Sequence, residues 1–327
     1  LASSAASDVY KRQVDELLNS LTRQTNKNFE VLVVEDGSSV PCKEVVDNYA
    51  DRLDICYYFK SNSGPGQTRN YGAERGHGEY LIILDSDCIL PEGYLAAVES
   101  ELQQQKADAF GGPDRAHDSF TNIQKAINYA MTSFFTTGGI RGGKKKMDKF
   151  YPRSFNMGVR AEVYKALGGF SKMRFGEDID FSIRIFQGGY ACRLFPEAWV
   201  WHKRRTDLKK FFKQVHNSGI ARINLYKKYP KSLKVVHLLP ALFTIGIVFL
   251  LLYSLVCSWS LSLLLLFALI ICVDSTLRNK SFKIGLLSIL ASFIQLIGYG
   301  TGFLRAWWKR CVLGKNEFAA FEKNFYK

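Results

Sequence analysis

Residues 80–87 read Tyr-Leu-Ile-Ile-Leu-Asp-Ser-Asp, an apolar run that ends in two carboxylates one residue apart. A short apolar run of this kind is typical of a strand buried inside a sheet. The earlier apolar run 29–34 also ends in acidic residues, Glu35 and Asp36. Helical patterns lie between such runs, and this order predicts an α/β fold with a mostly parallel central sheet. Ligands bind at the carboxyl ends of strands in such sheets, so both acidic turns mark a candidate site.

The turn formed by Asp85, Ser86 and Asp87 has the chemistry of a divalent-cation site. Mg²⁺ or Mn²⁺ takes few protein carboxylates and completes its coordination shell with water and phosphate oxygens. Acidic turns are common in proteins, so the turn alone identifies nothing. The motifs that accompany it along the chain indicate what kind of site it belongs to.

Five motifs occur in a fixed order along the chain: Val33–Ser38 (VVEDGS), Gly64–Asn70 (GPGQTRN), Leu84–Asp87 (LDSD), Gly168–Phe170 (GGF) and Phe175–Asp180 (FGEDID). With them the sequence resembles the family-2 glycosyltransferases, whose soluble domain has the GT-A fold. The resemblance covers about residues 14–202. Trp201-His202, the basic helix that follows and the hydrophobic C-terminal region resemble membrane-anchored exopolysaccharide glycosyltransferases of the succinoglycan-pathway type.

The resemblance implies a role for each acidic turn in binding a nucleotide-sugar donor. Asp36 would meet the uracil or ribose, and Arg69 the nucleotide or pyrophosphate. Asp85 would lie near the ribose, and Asp87 would hold the metal, Mg²⁺ or Mn²⁺. A sugar leaves with a diphosphate, so a metal and a guanidinium that neutralise the growing negative charge fit this chemistry.

Asp178 is the candidate general base, because a carboxylate near a helix start can deprotonate an acceptor hydroxyl. Its alternative role is to cap that helix. His202 follows a short apolar run and is a candidate metal ligand or diphosphate contact, although a single histidine is also compatible with a structural role.

Five further residues are expected to contact the acceptor or phosphate groups. By the resemblance, Asn156 faces the acceptor. The arginines would hold phosphates of the donor or of a lipid-linked acceptor, with solvated charge as the alternative. The set is Asn156, Glu177, Arg204, Arg205 and Arg222.

The C-terminal third of the chain is too apolar for a purely soluble protein. Residues 235–273 contain no Asp, Glu, Lys or Arg, and neither do residues 284–304. The first run could cross a ~30 Å hydrocarbon core twice as a helix. The sequence therefore predicts two to three membrane helices over 235–307. The net charge is +14, and part of it flanks these runs, which indicates a cytoplasmic face rather than a nucleic-acid partner.

A basic amphipathic helix is predicted within 206–234, before the first membrane helix. Its apolar residues recur at Leu208, Phe211, Phe212 and Val215, with lysines off that stripe. This pattern favours a helix that lies on the bilayer surface, and packing against protein is the alternative. Residues 308–327 are predicted to be a basic tail. The glycine- and lysine-rich segment 138–149 is expected to be a loop, either solvated or closing over an anionic substrate.

Residues 1–13 are interpreted as a scar, because 8–13 can be encoded by GAT GTG TAT AAG AGA CAG, the end of a sequencing adapter. The catalytic domain would then occupy 14–205 and lack the family's first strand. The seven cysteines form no CxxC pair, which favours a reduced cytosolic domain.

The expected function is transfer of one sugar from a nucleotide-sugar, with UDP favoured, to a membrane lipid-linked (polyprenyl) acceptor in cell-surface polysaccharide synthesis. Such an enzyme would be inverting and metal-dependent. It would be a multi-pass protein of the inner membrane with its catalytic domain in the cytosol. Two alternatives stay open at this point: a polyprenyl-phosphate sugar synthase, and a noncatalytic membrane scaffold with a decayed domain.

Overall fold

The computed structural model describes residues 2–3, 8–117, 119–137, 150–173 and 175–316. The predicted loop 138–149 and most of the predicted tail therefore lie outside the described residues. The chain forms two compact units. The described residues of the first unit lie within Leu1–Arg115 and Lys146–His202, and those of the second within Ala116–Lys145 and Lys203–Glu317.

The elements are numbered along the chain. The strands are β1 (Ala2–Ser3), β2 (Val31–Asp36), β3 (Ile55–Lys60), β4 (Tyr80–Leu84), β5 (Cys88–Ile89), β6 (Ala109–Gly111), β7 (Asp114–Arg115), β8 (Asn156–Arg160), β9 (Cys192–Leu194) and β10 (Val200–His202). The helices are α1 (Asp8–Thr22), α2 (Lys43–Asp47), α3 (Pro65–Ala73), α4 (Tyr94–Gln104), α5 (Asn122–Thr132), α6 (Phe134–Thr137), α7 (Ala161–Ala166), α8 (Glu177–Gln187), α9 (Leu208–Lys228), α10 (Leu239–Tyr253), α11 (Ser262–Asn279) and α12 (Phe282–Trp307).

The first unit is an α/β structure, as the sequence predicts, and its strand pairing is mixed. The order β1-β2-β3 is parallel throughout, with Asp36 opposite Lys60 at the carboxyl end. The order β4-β8-β6-β9 is antiparallel on both sides of β8 and parallel between β6 and β9. A small third sheet, β5-β10-β7, brings His202 opposite Cys88. The third sheet therefore places His202 beside the residue that follows Asp87.

Helix α1 begins earlier than the predicted helix and packs into the core. Its buried side chains recur with helical spacing and are those of Tyr10, Val14, Leu17, Leu18 and Leu21. Residues Ala2 and Ser3 pair in parallel with Val34 and Glu35. The interpretation of residues 1–13 as a scar, and of a strand missing before residue 14, stays a prediction.

Helix α9 in the second unit packs part of its apolar stripe against protein. Phe211 and Val215 are buried in a cluster with residues of α5 and α12, including Ile127 and Ala291. Phe212 of the same stripe is 39% exposed, so the interfacial helix expected within 206–234 stays a prediction. Helical periodicity shows which face of a helix is apolar, but it does not show what covers that face.

The hydrophobic C-terminal region forms three helices, α10, α11 and α12. Two segments, Ser258–Asn279 and Phe282–Val312, are long and apolar enough to cross a membrane, whereas α10 has only 15 residues. By length and composition alone, these helices are weak support for membrane association.

Close contact between α9 and α12 depends on glycine. A Cβ atom at Gly302 would lie 2.0 Å from the carbonyl oxygen of His216. One at Gly219 would lie 2.2 Å from the carbonyl oxygen of Tyr299. Main chain meets main chain at both positions, so neither contact can be relieved by moving a side chain.

We predict that Gly302→Ala destabilises the second unit by ~1–3 kcal/mol, because the added methyl group forces α9 away from α12. The control is Gly246→Ala on α10, where an added Cβ has no described atom within 4 Å. Alanine is favoured over glycine inside a helix by roughly 1 kcal/mol, so the control should melt no lower than the parent. Thermal unfolding of detergent-purified protein measures both, and equal melting temperatures for Gly302→Ala and the parent would contradict the prediction.

Candidate active site

Asp36 lies at the carboxyl end of β2 and is 2% exposed. Its Oδ1 accepts hydrogen bonds from Lys60 Nζ and the Ser63 main chain, both at 2.8 Å. Its Oδ2 accepts one from the Gly64 main chain at 2.8 Å. The carboxylate therefore fixes the loop that leads into α3, the helix that carries Arg69.

Arg69 occupies the centre of the site. Its guanidinium donates from Nη2 to Asp85 Oδ1 at 2.9 Å and from Nη1 to Glu177 Oε1 at 3.0 Å. The side chain is 7% exposed, and the guanidinium carbon lies 5.4 Å from the centre of the Phe170 ring. One cation thus joins α3, the acidic turn after β4 and the start of α8.

Helix α8 begins at Glu177 and presents acidic residues in its first turn. The preceding residue, Gly176, has φ of 86°, a left-handed conformation that glycine adopts without strain. Burial raises the pKa of Glu177 to about 7, and the nearby Arg69 guanidinium opposes that shift. Asp178 Oδ2 lies 3.4 Å from Arg153 Nη1, and its side chain is 14% exposed. Asp178 is therefore partly exposed at the helix start and paired with Arg153.

Asp87 and His202 lie together. His202 Nε2 is 3.2 Å from Asp87 Oδ1, and His202 Nδ1 is 3.9 Å from Asp114 Oδ2. The imidazole stacks on the Phe155 ring with centroids 4.5 Å apart, which fixes its plane. Cys88 completes a group whose possible ligand atoms all lie within 4.8 Å of one another.

This group fits a divalent cation. Two neighbouring ligands of an octahedral metal, each about 2.1 Å from the ion, lie about 3 Å apart. The 3.2 Å between Asp87 and His202 matches that spacing. Cys88 Sγ lies 3.4 Å from the Phe155 carbonyl oxygen, and burial raises the pKa of its thiol. A carboxylate and an imidazole therefore form the donor set, which suits Mn²⁺ well and Mg²⁺ less well.

Two residues expected to contact the acceptor or phosphates are instead bound inside the first unit. Asn156 is 1% exposed, donates to the Ala198 carbonyl oxygen and accepts from the Tyr94 hydroxyl. Its amide is therefore committed to the core, and the expectation that it faces the acceptor is wrong. Glu177 is likewise buried and paired with Arg69.

The three arginines after His202 belong to the second unit. Arg204 is buried and donates from Nε and Nη2 to Asn128 Oδ1, so its guanidinium is held by α5. Arg205 is exposed, and Arg222 is partly buried on α9. Their expected contacts with phosphate stay a prediction.

Three polar residues of this site were missed in the sequence. Lys60 pairs with Asp36, Arg153 lies beside Asp178, and Asp114 lies beside His202. Only Lys60 could have been found from the sequence, because it follows an apolar run just as Asp36 does. Arg153 and Asp114 follow no pattern that the sequence displays.

Comparison with known proteins shows which family of proteins this chain resembles. Residues 9–168 match the family described as glycosyl transferase family 2. The probable glycosyltransferase YdaM of Bacillus subtilis is 26% identical over 194 residues, covering 57% of this chain and 46% of that protein. The glycosyltransferase AglE of Haloferax volcanii is 26% identical over 247 residues, covering 68% of this chain and 75% of that protein.

A solved structure shares the fold. The mannosyltransferase PcManGT of Pyrobaculum calidifontis, in complex with GDP-Man and Mn²⁺, superposes with a TM-score of 0.62 at 17% identity. The match covers 90% of this chain and 85% of that one. By contrast, the chain spans only 20% of the length of an uncharacterized glycosyltransferase of Rickettsia felis that is 30% identical over 121 residues.

These findings define a glycosyltransferase domain with the GT-A fold. Residues 9–168, just under half of the chain, match glycosyl transferase family 2, and the fold is shared with a solved GT-A structure. Asp178 and His202 lie beyond the matched segment, so their roles rest on the geometry described above.

We predict a pH-dependent difference in stability between the parent and Glu177→Gln. Because the pKa of Glu177 in the folded protein is about 7 against an ordinary 4.5, this group stabilises the fold at low pH. That contribution to stability is lost as the pH rises from the ordinary pKa of 4.5 through 7. Between pH 5 and pH 8 the variant should therefore gain stability relative to the parent, by at most on the order of 3 kcal/mol.

Urea unfolding of the two proteins at both pH values measures this difference. Glutamine keeps an oxygen that can accept from Arg69, so the variant preserves the shape of the site. A parent-to-variant difference that does not change with pH would show that the pKa of Glu177 in the folded protein is not near 7.

Proposed function

We propose that this chain is an inverting, metal-dependent glycosyltransferase that moves one sugar from a nucleotide-sugar to a membrane lipid-linked acceptor. The cytoplasmic face of the inner membrane is the proposed location, and cell-surface polysaccharide synthesis the proposed process. The observation that carries the proposal is the Arg69 contact with Asp85 and Glu177. It connects the acidic turn at the end of β4 to the helix start that presents Asp178.

The reaction requires one proton transfer and one displacement. The acceptor hydroxyl oxygen forms a bond to the anomeric carbon, and the bond from that carbon to the diphosphate oxygen breaks. The bonding electrons leave with the nucleoside diphosphate, and Asp178 takes the hydroxyl proton. Attack from the face opposite the leaving group inverts the anomeric configuration.

Asp87 and His202 would hold the metal. When bound, a divalent cation neutralises charge that develops on the leaving diphosphate. The PcManGT complex contains Mn²⁺, which supports a divalent metal in a fold of this kind. Arg69 fixes the position of Asp85, and Asp36 holds the loop before α3 in place for the nucleotide.

The identity of the donor and the number of sugars transferred are the most specific parts of the proposal. A UDP-sugar is favoured by the resemblance of the motifs, whereas PcManGT was solved with GDP-Man. The chain lacks the Gln-x-x-Arg-Trp motif of processive polysaccharide synthases, since Gln214 and Arg222 have the wrong spacing. Transfer of a single sugar is therefore proposed.

Donor profiling tests the proposal. Membranes that contain the full-length protein would be incubated with radiolabelled UDP- and GDP-sugars, and the lipid products would be separated by chromatography. A lipid-linked saccharide made from a UDP-sugar supports the proposal. A sugar joined to polyprenyl phosphate would identify a polyprenyl-phosphate sugar synthase instead, and no nucleotide release with any donor would favour a noncatalytic scaffold.

We predict that Asp178→Asn lowers transfer by ~10²–10⁴-fold while donor binding persists, because asparagine keeps the shape but cannot accept the proton. The control is Asp54→Asn, an exposed carboxylate elsewhere in the first unit. Steady-state rates and UDP calorimetry measure the two effects. Activity of Asp178→Asn within threefold of the parent would remove Asp178 from the mechanism.

We also predict that Asp87→Ala and His202→Ala each weaken Mn²⁺-dependent UDP binding by at least ~10-fold. Even outer contacts of a metal ligand typically contribute ~10–100-fold to metal affinity, so a direct ligand should contribute no less. Calorimetry with UDP in the presence and absence of Mn²⁺ checks this, with Asp51→Ala as the exposed control. If both variants keep the affinity of the parent, the metal binds elsewhere.

A further inference from the structure

The GGF motif, Gly168–Phe170, ends in a side chain that packs on the site. The Phe170 ring is buried, and its centre lies 5.4 Å from the guanidinium carbon of Arg69. A cation at this distance from an aromatic face is attracted by the ring, and the attraction is stronger away from water. Phe170 therefore contacts the cation that joins Asp85 to Glu177, and whatever fixes this ring also helps to fix that cation.

Helix α3 holds Phe170 by its main chain. Asn70 Nδ2 donates to the Phe170 carbonyl oxygen at 2.9 Å, and Asn70 Oδ1 accepts from the Phe170 amide at 2.8 Å. The same Oδ1 accepts from the Tyr164 hydroxyl at 2.6 Å. The amide of Asn70 thus pairs with both polar groups of the Phe170 main chain, and it belongs to the residue next to Arg69.

Helix α8 holds the residues on either side of Phe170. Arg184 donates from Nη2 to the Gly169 carbonyl oxygen at 2.6 Å. Asp180 is fully buried, and its Oδ2 accepts from Ser171 Oγ at 2.8 Å and from Arg184 Nε at 3.0 Å. One ion pair of α8 therefore binds both neighbours of Phe170.

The segment Gly169–Ser171, called the clamp segment below, is thus held by α3 and by α8 at the same time. These are the two helices that Arg69 connects through its contact with Glu177. A side chain that is locked by packing and by further hydrogen bonds keeps a more exact position than one that is not. The clamp segment gives such support to the guanidinium of Arg69.

We propose that the clamp segment is a positioning element of the donor site, and that Asn70 is the positioning residue that acts through it. The side chain of Asn70 fixes Phe170, and the ring fixes the guanidinium of Arg69. Arg69 in turn holds Asp85, the residue expected near the ribose of the donor. The effect on the donor rests on the proposed function, whereas the effect on α8 does not.

The two glycines of the motif supply a matched pair of variants. Gly168 has φ of 70° and Gly169 has φ of 62°, so alanine at either position meets similar left-handed strain. A Cβ atom at Gly169 would overlap Asn70 Oδ1 and lie 2.8 Å from the Tyr164 ring. A Cβ atom at Gly168 would have no described atom within 4 Å. The difference between the two variants therefore reports these contacts and not the strain.

Calorimetry of the detergent-purified full chain with UDP or GDP, in the presence of Mn²⁺, gives the first measurement. Gly169→Ala and Asn70→Ala should each weaken binding of the nucleotide that the parent binds by at least ~10-fold, because outer contacts that orient a site typically contribute ~10–100-fold. Gly168→Ala and Asn48→Ala, the latter at an exposed asparagine, should keep the affinity of the parent.

The maximal rate of transfer at saturating donor should fall by less than the affinity does. The reason is that Asp178, the proposed base, pairs with Arg153 and not with the clamp segment. Asn70→Asp provides a conservative variant, since it keeps both acceptor contacts and loses only the donation to Phe170. Its nucleotide affinity should lie between those of the parent and Asn70→Ala, and it serves in place of Asn70→Ala if that variant does not fold.

A double variant tests the route through the ring. Phe170→Leu keeps an apolar side chain but removes the aromatic face. If Asn70 acts through Phe170, adding Asn70→Ala to Phe170→Leu should weaken nucleotide binding no further than the more damaging single change does. Losses of affinity that simply add would show that the two residues act independently, which overturns the proposal.

Hydrogen exchange followed by mass spectrometry needs neither nucleotide nor sugar. The Asp180 amide donates to the Gly176 carbonyl oxygen at 2.8 Å in the first turn of α8. Asn70→Ala, a change on α3, should speed exchange in the clamp segment and also in this first turn, while α2 exchanges as in the parent.

Two further results would overturn the proposal. Faster exchange confined to the clamp segment would show that the segment supports nothing beyond itself. Equal nucleotide affinity of Gly169→Ala and Gly168→Ala would show that the contact with Asn70 has no part in donor binding. If the parent binds nucleotide but transfers no sugar, the proposed function fails, and the affinities and exchange rates still decide the role of the clamp segment.

Discussion

The buried guanidinium of Arg69, held between the carboxylates of Asp85 and Glu177, is the constraint on which the site depends. Taking a cation out of water is costly unless its partners are fixed at hydrogen-bonding distance. Both partners sit on main chain that is itself fixed, one at the end of β4 and the other at the first residue of α8. Loss of Arg69 would leave the buried carboxylate of Glu177 without its counter-charge. The acidic turn and the start of α8 are therefore held in one arrangement before any ligand binds.

Much of the first unit could be predicted from its sequence because local signals agreed with the final packing. The apolar runs that became β2 and β4 end in acidic residues, and these residues do lie in the candidate site. The start of α8 followed from a glycine succeeded by carboxylates. Asn156 shows the limit of such reasoning, since its polar side chain was consistent with a ligand contact. Only the tertiary structure reveals that Tyr94 and Ala198 occupy its amide.

The second unit shows a different limit. Hydropathy measures the length of an apolar run, and for α12 that length is sufficient for a membrane crossing. Glycines at Gly219 and Gly302 let the main chains of α9 and α12 touch, and this contact brings charged residues beside an apolar helix. Neither the amphipathic pattern of α9 nor the length of α12 shows that these two helices pack against each other. The neighbours of a hydrophobic helix decide whether lipid or protein surrounds it.

The close contact between α9 and α12 has a mechanical consequence. Where main chain meets main chain, no side chain can rotate to take up a displacement, so a movement of one helix is passed directly to the other. The two helices would therefore respond to a force on either of them as a single rigid element.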